Sequence, residues 1–591
     1  MVRSPLHRHP LLVLTAVITL HTGSSAQVSP AVPPKHEIRG VWITTTSGLD
    51  WPRTLDRYEQ QASLHAIVQN LHRANFNTIF FQARARGDAY YRSSFEPWAE
   101  NLTGTLGRDP GWDPLAFLLT EAHAVGMEVH AWFNVYKVRD AGVPPPTTPP
   151  HVSRANPHWT VENAGEVWLD PGIPEVRKYL LNVAMDLVRK YDIDGINFDF
   201  MRYPGREFAD SDTYRRYGNG TERDDWRRGN INGFISEFYR AATALKPMVK
   251  IGSSPLGVYD NDNGAGTRGS YSSTFQDSQG WLRRGDQDYL SPQIYWDIGT
   301  SRGDPDFALL VRKWQDQAAG RQICAGIAAY KPEVLRQVGL QIDLSRAAGN
   351  AGQVFFRYEN IRALDMFGDR YRTPALIPPM AWKDSIPPLP PANLAVSEIV
   401  TNVFNLEWTP SPAAGDGDSA RAYAIYRASR RAPRTDDVRN LVAIVPAQNT
   451  AYVDTLRVPS GLTYYYAVTA IDKGNNESAP STVGTGTFRE LLALKGKLSN
   501  ITTLSTSFGQ GGRSPNLVAY RLAHRTLVFV EVSKELADGK GDSLTTTLVS
   551  AVQDEGTYIV GLNSIRFTPG KYVVRLRTGA TTLEQPLDFR R

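Results

Sequence analysis

Eight strand-like segments alternate with eight helix-like segments between residues 38 and 371. Each strand-like segment is short, apolar and rich in β-branched or aromatic residues, as expected for a strand buried on both faces. This alternation predicts an α/β fold, and eight repeats predict a single (β/α)8 barrel over residues 36–373. A doubly wound open sheet is the alternative, but no glycine-rich phosphate turn follows an early strand.

The predicted elements follow directly from the two periodicities. The strands are expected at residues 38–45, 77–84, 128–136, 195–203, 249–258, 289–296, 323–330 and 352–360. The helices are expected at residues 59–74, 114–125, 174–190, 230–245, 278–284, 307–319, 332–338 and 362–371. In a barrel of this kind the functional residues lie at the carboxyl ends of the strands and in the loops that follow them.

Three regions lie beyond the predicted barrel. Proline pairs mark residues 374–391, which predicts a linker, because proline continues neither a helix nor a central strand. Short alternating segments over residues 392–487 predict a β-sandwich, and residues 488–591 predict a further β-rich domain.

The first 26 residues have the pattern of a secretory signal peptide. Arg3 and Arg8 precede an apolar run at residues 11–20, and Ser24-Ser25-Ala26 offers the small residues of a cleavage site. We expect cleavage after Ala26, export to the periplasm, the cell surface or the medium, and no membrane span in the mature chain. A permanent membrane anchor is the alternative, but the apolar run is short for a bilayer.

Charge and cysteine content exclude several classes of function. The 65 basic and 60 acidic side chains leave a net charge of +5, which is too weak to argue for nucleic acid as a partner. Cys324 is the single cysteine, so neither an intrachain disulfide nor a cysteine-based zinc site can form. We expect no cofactor and no metal. A metal hydrolase and a calcium loop at residues 260–264 are weaker alternatives, because the histidine clusters and the closing Glu of such sites are missing.

Polar and aromatic residues follow the predicted strands. In the fourth strand Asn197 and Asp199 alternate with Phe198 and Phe200, so the polar pair is expected to face the barrel mouth. Carboxylates, amides and aromatic rings together are what a sugar requires of its binding site. The predicted sugar-binding residues are Arg84, Asp88, His130, Trp132, Asn134, Asn197, Arg202, Tyr203, Gln293, Tyr295, Trp296 and Glu359.

Hydrolysis of a glycosidic bond requires two carboxyl groups that flank the bond. Asp199 is the leading candidate, and Asp297, on the face that Gln293 and Tyr295 share, is the second. Glu359 and Asp88 are reserves. The alternatives are structural: a salt bridge from Asp199 to Arg84 or Arg202, an N-cap or loop role for Asp297, and a core position for His130.

Six strings occur in order within the predicted barrel: Glu37-Ile-Arg-Gly-Val-Trp-Ile43, Gln82-Ala-Arg-Ala-Arg-Gly-Asp-Ala-Tyr90, His130-Ala-Trp-Phe-Asn134, Leu169-Asp-Pro-Gly-Ile-Pro-Glu-Val-Arg177, Asp194-Gly-Ile-Asn-Phe-Asp-Phe-Met-Arg-Tyr-Pro204 and Ser291-Pro-Gln-Ile-Tyr-Trp296. In this order they resemble the glycosyl hydrolase-like 10 family of bacterial exported proteins. The resemblance implies a (β/α)8 barrel and glycoside hydrolase activity, and some relatives are implicated in cleaving peptidoglycan glycan strands that lack stem peptides. Asp199 matches the family's strand-four acid, whereas the choice of Asp297 rests on its position alone.

The carboxyl-terminal regions carry resemblances of their own. Trp408, Tyr426-Arg427 and Tyr464-Tyr-Tyr-Ala-Val-Thr-Ala470 resemble a fibronectin type III domain. Gly556-Thr-Tyr558 and Gly570-Lys-Tyr-Val-Val-Arg-Leu-Arg577 resemble the C-terminal sorting domain of type IX secretion cargo, with an ancillary β-sandwich as the alternative.

The sequence therefore predicts an exported glycoside hydrolase that acts on a cell-wall glycan of the peptidoglycan type or on another polysaccharide. The alternative from a different class is a catalytically inactive carbohydrate-binding or scaffold protein, because a barrel alone does not imply activity.

Overall fold

The structure is a computed structural model that describes residues 32–260, 268–299, 304–363, 365–400, 403–456 and 463–487, together with seven strands between residues 501 and 589. No helix within these ranges is long and apolar enough to cross a membrane. The predicted signal peptide, residues 1–26, lies outside the described residues.

Eight parallel strands form a closed barrel, which confirms the predicted fold class. The strands are β1 Ile38–Ile43, β2 Thr78–Arg84, β3 Glu128–Asn134, β4 Gly195–Asp199, β5 Lys250–Ser253, β6 Tyr289–Leu290, β7 Gln322–Ile327 and β8 Gly352–Phe355. Their order around the barrel is the order along the chain, with β8 pairing back to β1.

Seven main helices surround the barrel: α1 Arg57–Arg73, α2 Pro114–His123, α3 Pro174–Lys190, α4 Arg223–Leu245, α5 Ser278–Arg284, α6 Phe307–Asp316 and α7 Val338–Ala347. Shorter helices cover Val152–Ala155, Ser211–Tyr217, Ser270–Ser273, Pro332–Arg336 and Tyr358–Ile361, and a 3-10 segment covers Asp365–Tyr371. Aspartate side chains begin three of the main helices: Asp56, Asp113 and Asp306 each accept backbone N–H bonds of the first turn.

The strands begin within one residue of their predicted starts, and all except β2, which ends at Arg84 as predicted, end earlier than predicted. Strand β4 ends at Asp199, and the next residue, Phe200, has a backbone φ of +49°. Strand β6 contains only two residues, Tyr289–Leu290. A residue with positive φ turns the chain out of the pleat, so the two-residue alternation of side chains stops at Asp199.

An additional three-stranded antiparallel sheet follows β3 and was not predicted. Its strands are Lys137–Asp140, Thr160–Asn163 and Glu166–Leu169, with the last in the middle. Its strands are only four residues long and mixed in polarity, so the sequence gives them no clear period. This sheet, called the insert sheet below, brings Lys137 and Trp168 to the residues that follow β4.

The residues predicted to be a linker pack against the amino-terminal end of the barrel. Ile377 and Met380 are buried in the cluster that fills the barrel interior with Trp42, Phe80 and Tyr289. Trp382 donates its indole N–H to Asp288, and Lys383 forms an ion pair with the same carboxylate at 3.1 Å. Residues 376–383 therefore close the barrel from below, and we call them the plug.

Two β-rich units follow the plug, each with a three-stranded and a four-stranded antiparallel sheet. The first contains Ala392–Val400, Val403–Thr409, Ala422–Ala428, Leu441–Pro446, Ala451–Thr455, Thr463–Ile471 and Gly484–Thr487. The second contains Ile501–Ser507, Leu517–Leu522, Thr526–Glu535, Asp542–Gln553, Gly556–Gly561, Gly570–Thr578 and Thr581–Phe589.

The first β-rich unit contacts the underside of the barrel through charged groups. Its Arg421 lies 3.1 Å from the buried carboxylate of Glu128, which also pairs with the buried Lys250. Glu477 of the same unit pairs with Lys35, just before β1. The barrel, the plug and this unit are therefore joined by buried contacts rather than by a free tether.

Candidate active site

Asp199 lies at the carboxyl end of β4, as the sequence predicts, and its side chain is only partly exposed. Phe198 points the opposite way, with its ring centroid 4.9 Å from that of Phe238 and 5.4 Å from that of Phe234 on α4. The alternation argument therefore holds for Asp199 and Phe198. It fails for Phe200, whose ring lies 5.8 Å from that of Trp168 in the insert sheet.

Burial raises the pKa of Asp199 to about 6. Four neighbours oppose this shift: the Phe200 backbone N–H, which donates to Asp199 at 2.7 Å, the positive charge of Arg202, Gln293, whose Nε2 donates at 3.2 Å, and the side chain of Trp132. A carboxyl group with a pKa near 6 is partly protonated near neutral pH, so it can donate a proton to a leaving oxygen.

Gln293 and Tyr295 are two of the predicted sugar-binding residues that the structure brings to Asp199, and Arg202 and Trp132 are two more. Gln293 is held by the Ser254 carbonyl, which accepts from Nε2 at 3.1 Å. Burial and then the negative charge of Asp199 raise the pKa of Tyr295, which places this ring beside the carboxylate. The Tyr295 ring lies 5.8 Å from that of Phe356 and 6.2 Å from that of Tyr330. These three rings form an aromatic wall on one side of Asp199.

Arg202 lies on another side of Asp199. Its guanidinium carbon is 5.4 Å from the Trp168 ring and 5.2 Å from the Phe200 ring. Burial lowers the pKa of Arg202, and the charges of Asp199 and Glu166 oppose that change. The structural alternative of an Asp199–Arg202 salt bridge is absent among the described residues.

Asn134 and Asn197 lie at the level of Asp199 and just below it. Asn134 pairs in register with Asp199 and donates from Nδ2 to the Ala85 carbonyl at 2.8 Å. Asn197 accepts a 2.7 Å bond from Ser254. Asn134 Oδ1 and Asn197 Nδ2 have no partner among the described residues, so each keeps hydrogen-bonding capacity near the site.

Three predicted sugar-binding residues are buried away from the mouth, so the structure does not bring them to Asp199. Arg84 is fully buried, and its guanidinium forms a two-pronged ion pair with Glu96 at 2.6–3.0 Å. Tyr203 is fully buried and receives a 3.2 Å hydrogen bond from Asn230. His130 binds the Tyr289 hydroxyl at 2.7 Å inside the barrel.

The position of His130 shows what alternation alone misses. His130 pairs in register with Gly195, whereas Asn134, four residues later, pairs with Asp199. At about 3.3 Å per residue, His130 therefore lies roughly 13 Å below the mouth. Trp132, between them, is buried in the interior cluster, and its ring contacts that of Phe356 at 6.2 Å. The face was predicted correctly and the depth was not.

The loop after β6 separates the residues predicted to share a face. Tyr295 turns toward Asp199, whereas the Trp296 ring packs beside Gly257. Asp297 is half-buried, and its side chain has no hydrogen bond or ion pair within the described part of the chain. It does not cap α6, because Asp306 does. The N-cap alternative for Asp297 is therefore excluded, and its role as second carboxyl stays a prediction.

The two reserve acids lie in other surroundings. Burial raises the pKa of Asp88, which lines a separate depression of about 240 Å³ with Arg86, Arg139 and His151. Glu359 lies on the short helix after β8 and pairs with Arg53 at 2.9 Å. Neither acid forms a hydrogen bond to Asp199 within the described residues, so Glu359 and Asp88 are not brought into its immediate surroundings.

One group of acids elsewhere has metal-like spacing. Asp384, Asp416 and Asp418 have oxygen atoms within 4.8 Å of one another, in the segment after the plug and in the first β-rich unit. Acidic groups of this kind are common on surfaces, and no chemistry follows from them alone. The calcium-like loop predicted at residues 260–264 lies outside the described residues after Asp260.

Several functional residues were not predicted from the sequence. Phe356 and Tyr330 form the aromatic wall together with Tyr295, and the rings of Trp168 and Phe200 pack against Arg202. Phe356 directly follows β8, so the strand-end rule could have found it. Trp168 comes from the insert sheet, and no local sequence signal indicates that this sheet folds over the mouth.

Family and relative comparisons agree on one class of protein. Residues 37–338 match the family model described as Glycosyl hydrolase-like 10. The glycosyl hydrolase YngK of Bacillus subtilis is 31% identical over 509 residues, which cover 80% of this chain and 96% of that protein. The glycosyl hydrolase DigH of Escherichia coli K12 is 33% identical over 369 residues, which cover 55% of this chain and 83% of that protein.

Among solved structures, the glycoside hydrolase domain of PgaB (BpsB) from Bordetella bronchiseptica aligns with a TM-score of 0.42 and 16% identity. The alignment covers 57% of this chain and 99% of that domain. The α-L-fucosidase isoenzyme 2 of Paenibacillus thiaminolyticus aligns with a TM-score of 0.39 and 16% identity, over 57% of this chain and 49% of that protein.

Proposed function

The chain belongs to the glycosyl hydrolase-like 10 family, and on that premise we propose that it hydrolyses glycosidic bonds in a cell-wall glycan of the peptidoglycan type. The observation that carries the proposal is the single carboxyl group at the end of β4, with its pKa raised to about 6 beside an aromatic wall. Aromatic rings bind the C–H faces of sugars, and a carboxyl group with a raised pKa is the acid that glycoside cleavage requires.

In the proposed mechanism Asp199 protonates the oxygen of the leaving sugar. Gln293 holds the Asp199 carboxyl by its 3.2 Å hydrogen bond, and Phe200 N–H holds the same oxygen at 2.7 Å. Both bonds go to Oδ1, and we propose that Asp199 delivers its proton from Oδ2. Asp297 is proposed as the second carboxyl group, because its side chain is half-buried and unpaired among the described residues.

The test is hydrolysis of peptide-free peptidoglycan strands, with chitin oligosaccharides and a panel of neutral polysaccharides alongside. We expect new reducing ends and shorter oligosaccharides, identified by mass spectrometry. If Asp199 is the general acid, the rate falls about tenfold per pH unit above pH 6, because only the protonated form donates.

The non-enzymatic alternative gives a different result in the same experiment. A binding or scaffold protein retains glycans in a pull-down or calorimetric titration but yields no new reducing ends from any of them. A pH profile that is flat between pH 5 and 8 with cleavage intact would remove Asp199 from the role of acid.

We propose further that residues 1–26 direct export, so that N-terminal sequencing of protein secreted by its native host begins at Gln27. Recovery of membrane-bound chain with an intact Met1 would contradict this. The first β-rich unit is proposed to be a fibronectin type III spacer, in keeping with its three- and four-stranded sheets. The second is proposed to be a sorting or ancillary module.

A further inference from the structure

We propose that Arg202 binds a carboxylate carried by the sugar substrate, so that the enzyme selects acidic glycans. The inference rests on the proposed function, because it assigns a substrate feature to the same site. It concerns a single side chain, and it does not depend on the identity of the second catalytic carboxyl group.

The first observation is that the Arg202 guanidinium packs against aromatic rings but donates few hydrogen bonds. Its carbon lies 5.4 Å from the Trp168 ring centroid and 5.2 Å from the Phe200 ring centroid, and the two centroids are 5.8 Å apart, so the guanidinium packs against both rings on one side. Its one hydrogen bond within the described residues is a long 3.4 Å contact from Nη1 to the Tyr203 carbonyl. A guanidinium has five N–H donors, so most of the hydrogen-bonding capacity of Arg202 is unused.

The second observation is the contrast with neighbouring arginines. Arg84 pairs with Glu96, Arg357 with Asp50, and Arg206 with Asp224. Arg202 forms no ion pair with any acidic side chain of the described residues. Burying an unpaired charge is costly, and the direction of its pKa shift agrees with that cost. Such an arrangement is retained where a ligand supplies the missing partner.

The third observation is that Arg202 lies close to Asp199. The charge of Arg202 acts on the pKa of Asp199, yet the two groups do not form an ion pair. The Phe200 N–H donates to Asp199 at 2.7 Å and the Phe200 ring packs against Arg202, so the two groups lie beside one residue and within reach of one sugar. The turn at Phe200, with its φ of +49°, holds a backbone conformation that non-glycine residues rarely adopt.

Lys137, the other positive charge near Phe200, is not an equivalent binding site for a carboxylate. Its ammonium lies 5.4 Å from the Phe200 ring centroid, but it is already paired with Glu166 and lies 3.8 Å from Asp140. The accessible, uncompensated positive charge at the edge of Asp199 is therefore that of Arg202.

The geometry indicates the chemistry of the ligand. A guanidinium that packs against two adjacent rings keeps N–H donors on its remaining edges, and two neighbouring donors of this planar fork match the two oxygens of a carboxylate. Two kinds of sugar carry such a group: a hexuronic acid, and an amino sugar with a lactyl ether whose carboxyl group is no longer joined to a peptide. The shared feature is a carboxylate on the pyranose ring or on a short ether attached to it.

The experiment compares one glycan in two forms. Peptide-free peptidoglycan strands are used as they are, and after conversion of their lactyl carboxylates to neutral methylamides. A hexuronic acid polymer is the third substrate. At one fixed pH, we expect the ratio of kcat/KM for the acid over the amide form to be about 10–100 for the native chain, the range of a charge-assisted hydrogen-bond pair. Cleavage of the uronate polymer instead would identify the other source of the carboxylate.

Variants at Arg202 and a matched arginine separate recognition from structure. Arg202→Gln is expected to bring the ratio near one, and Arg202→Lys to restore only part of it because the planar fork is lost. Arg206→Gln is the control, because Arg206 also stacks on a ring, that of Phe275 at 5.4 Å, but is already paired. It is expected to keep the native ratio. The ratio is the readout because the loss of the Arg202 charge also changes the pKa of Asp199 equally for both substrates.

Equal kcat/KM for acid and amide forms in the native chain would overturn the proposal, as would an Arg202→Gln variant that keeps the native ratio. If no glycan is cleaved, the proposed activity fails but this inference is still tested. Calorimetric titration then measures binding of the two strand forms, and the native chain is expected to bind the acid form about 10–100-fold more tightly. Equal affinities in that titration would overturn it.

Discussion

Replacing Asp199 by asparagine is expected to lower kcat by about 10²–10⁴-fold while the chain stays folded. The amide keeps the shape of the side chain and can still accept from the Phe200 N–H and from Gln293. It cannot deliver a proton to a leaving oxygen. The measurement is turnover on whichever glycan the native chain cleaves, with circular dichroism and thermal melting on the same preparation.

The stability of the Asp199→Asn variant provides a second, independent readout. The pKa of Asp199 in the folded chain is about 6, above the ordinary value of 3.8. Between these values the folded state binds more protons than the unfolded state, so this group makes stability fall as pH rises through about 6. Above pH 6 the ionised, buried carboxylate is a cost, and the asparagine variant is expected to melt at a higher temperature than the native chain at pH 7–8. Active sites commonly show this opposition of function and stability.

Asp194, at the opposite end of β4, is the matched control. Its carboxylate accepts from the Val129 N–H and contacts His123 Nε2, both at 2.8 Å, and the His123 contact helps to hold its pKa below the ordinary value. Asp194→Asn is expected to lower the melting temperature at pH 7 and to keep the turnover per folded molecule. If Asp199→Asn instead melts lower and keeps near-normal turnover, then Asp199 is a structural residue and the mechanism must begin from Asp297.

The faces of the barrel strands could be predicted from the sequence, and their lengths could not. Each strand begins within a residue or two of its expected start, because the apolar runs are sharply bounded there. The expected ends were too late because β4 stops at a residue with positive φ and β6 stops after two residues. Nothing in the composition of Phe200-Met201-Arg202 marks that turn, since aromatic residues favour strands. Tyr203 was assigned to the mouth for this reason and is buried instead.

Contacts between segments that are distant in the sequence were the second feature that could not be predicted. Arg84 looks free in the sequence, and its partner Glu96 lies twelve residues later in a loop. Trp168 lies just before the string that begins at Leu169 and was not predicted to be functional, and it reaches Arg202 because the insert sheet brings it there. By contrast, Asp199 and Gln293 come from different strands but were both predicted, because the barrel rule places all strand ends at one rim. Residues at strand ends can be predicted from topology, and residues from insertions cannot.

A barrel cut after Ala375 is expected to be severely destabilised, although the proline-rich sequence that follows predicts a separable linker. The cut removes Ile377 and Met380 from the interior cluster, and large apolar side chains lost from a core cost about 2–5 kcal/mol each. It also removes Trp382 and Lys383 and leaves the buried Asp288 with fewer partners. The loss is comparable with the whole stability of a typical domain, about 5–15 kcal/mol.

Three truncated chains, each beginning at Gln27, distinguish the contribution of the plug to stability from that of the β-rich units. The stability of each is measured by thermal and urea unfolding. Residues 27–487 retain every contact described between barrel, plug and first unit, so they are expected to unfold like the full chain. Residues 27–391 retain the plug but lose Arg421, one of the partners of the buried Glu128. Because Lys250 still pairs with Glu128, we expect an intermediate effect: the free energy of unfolding of residues 27–391 falls by about 1–3 kcal/mol.

The order of the three urea-unfolding midpoints shows whether residues 376–383 are a flexible linker or a structural part of the barrel. If these residues close the barrel, the large decrease in midpoint lies between the chain that ends at 391 and the chain that ends at 375. A chain of residues 27–375 that unfolds at the same urea concentration as residues 27–391 would show that Ile377 and Met380 add nothing to the barrel. The interior cluster argues against that outcome, because these two side chains are buried in it together with Trp42, Phe80 and Tyr289, and their removal leaves those side chains with fewer apolar neighbours.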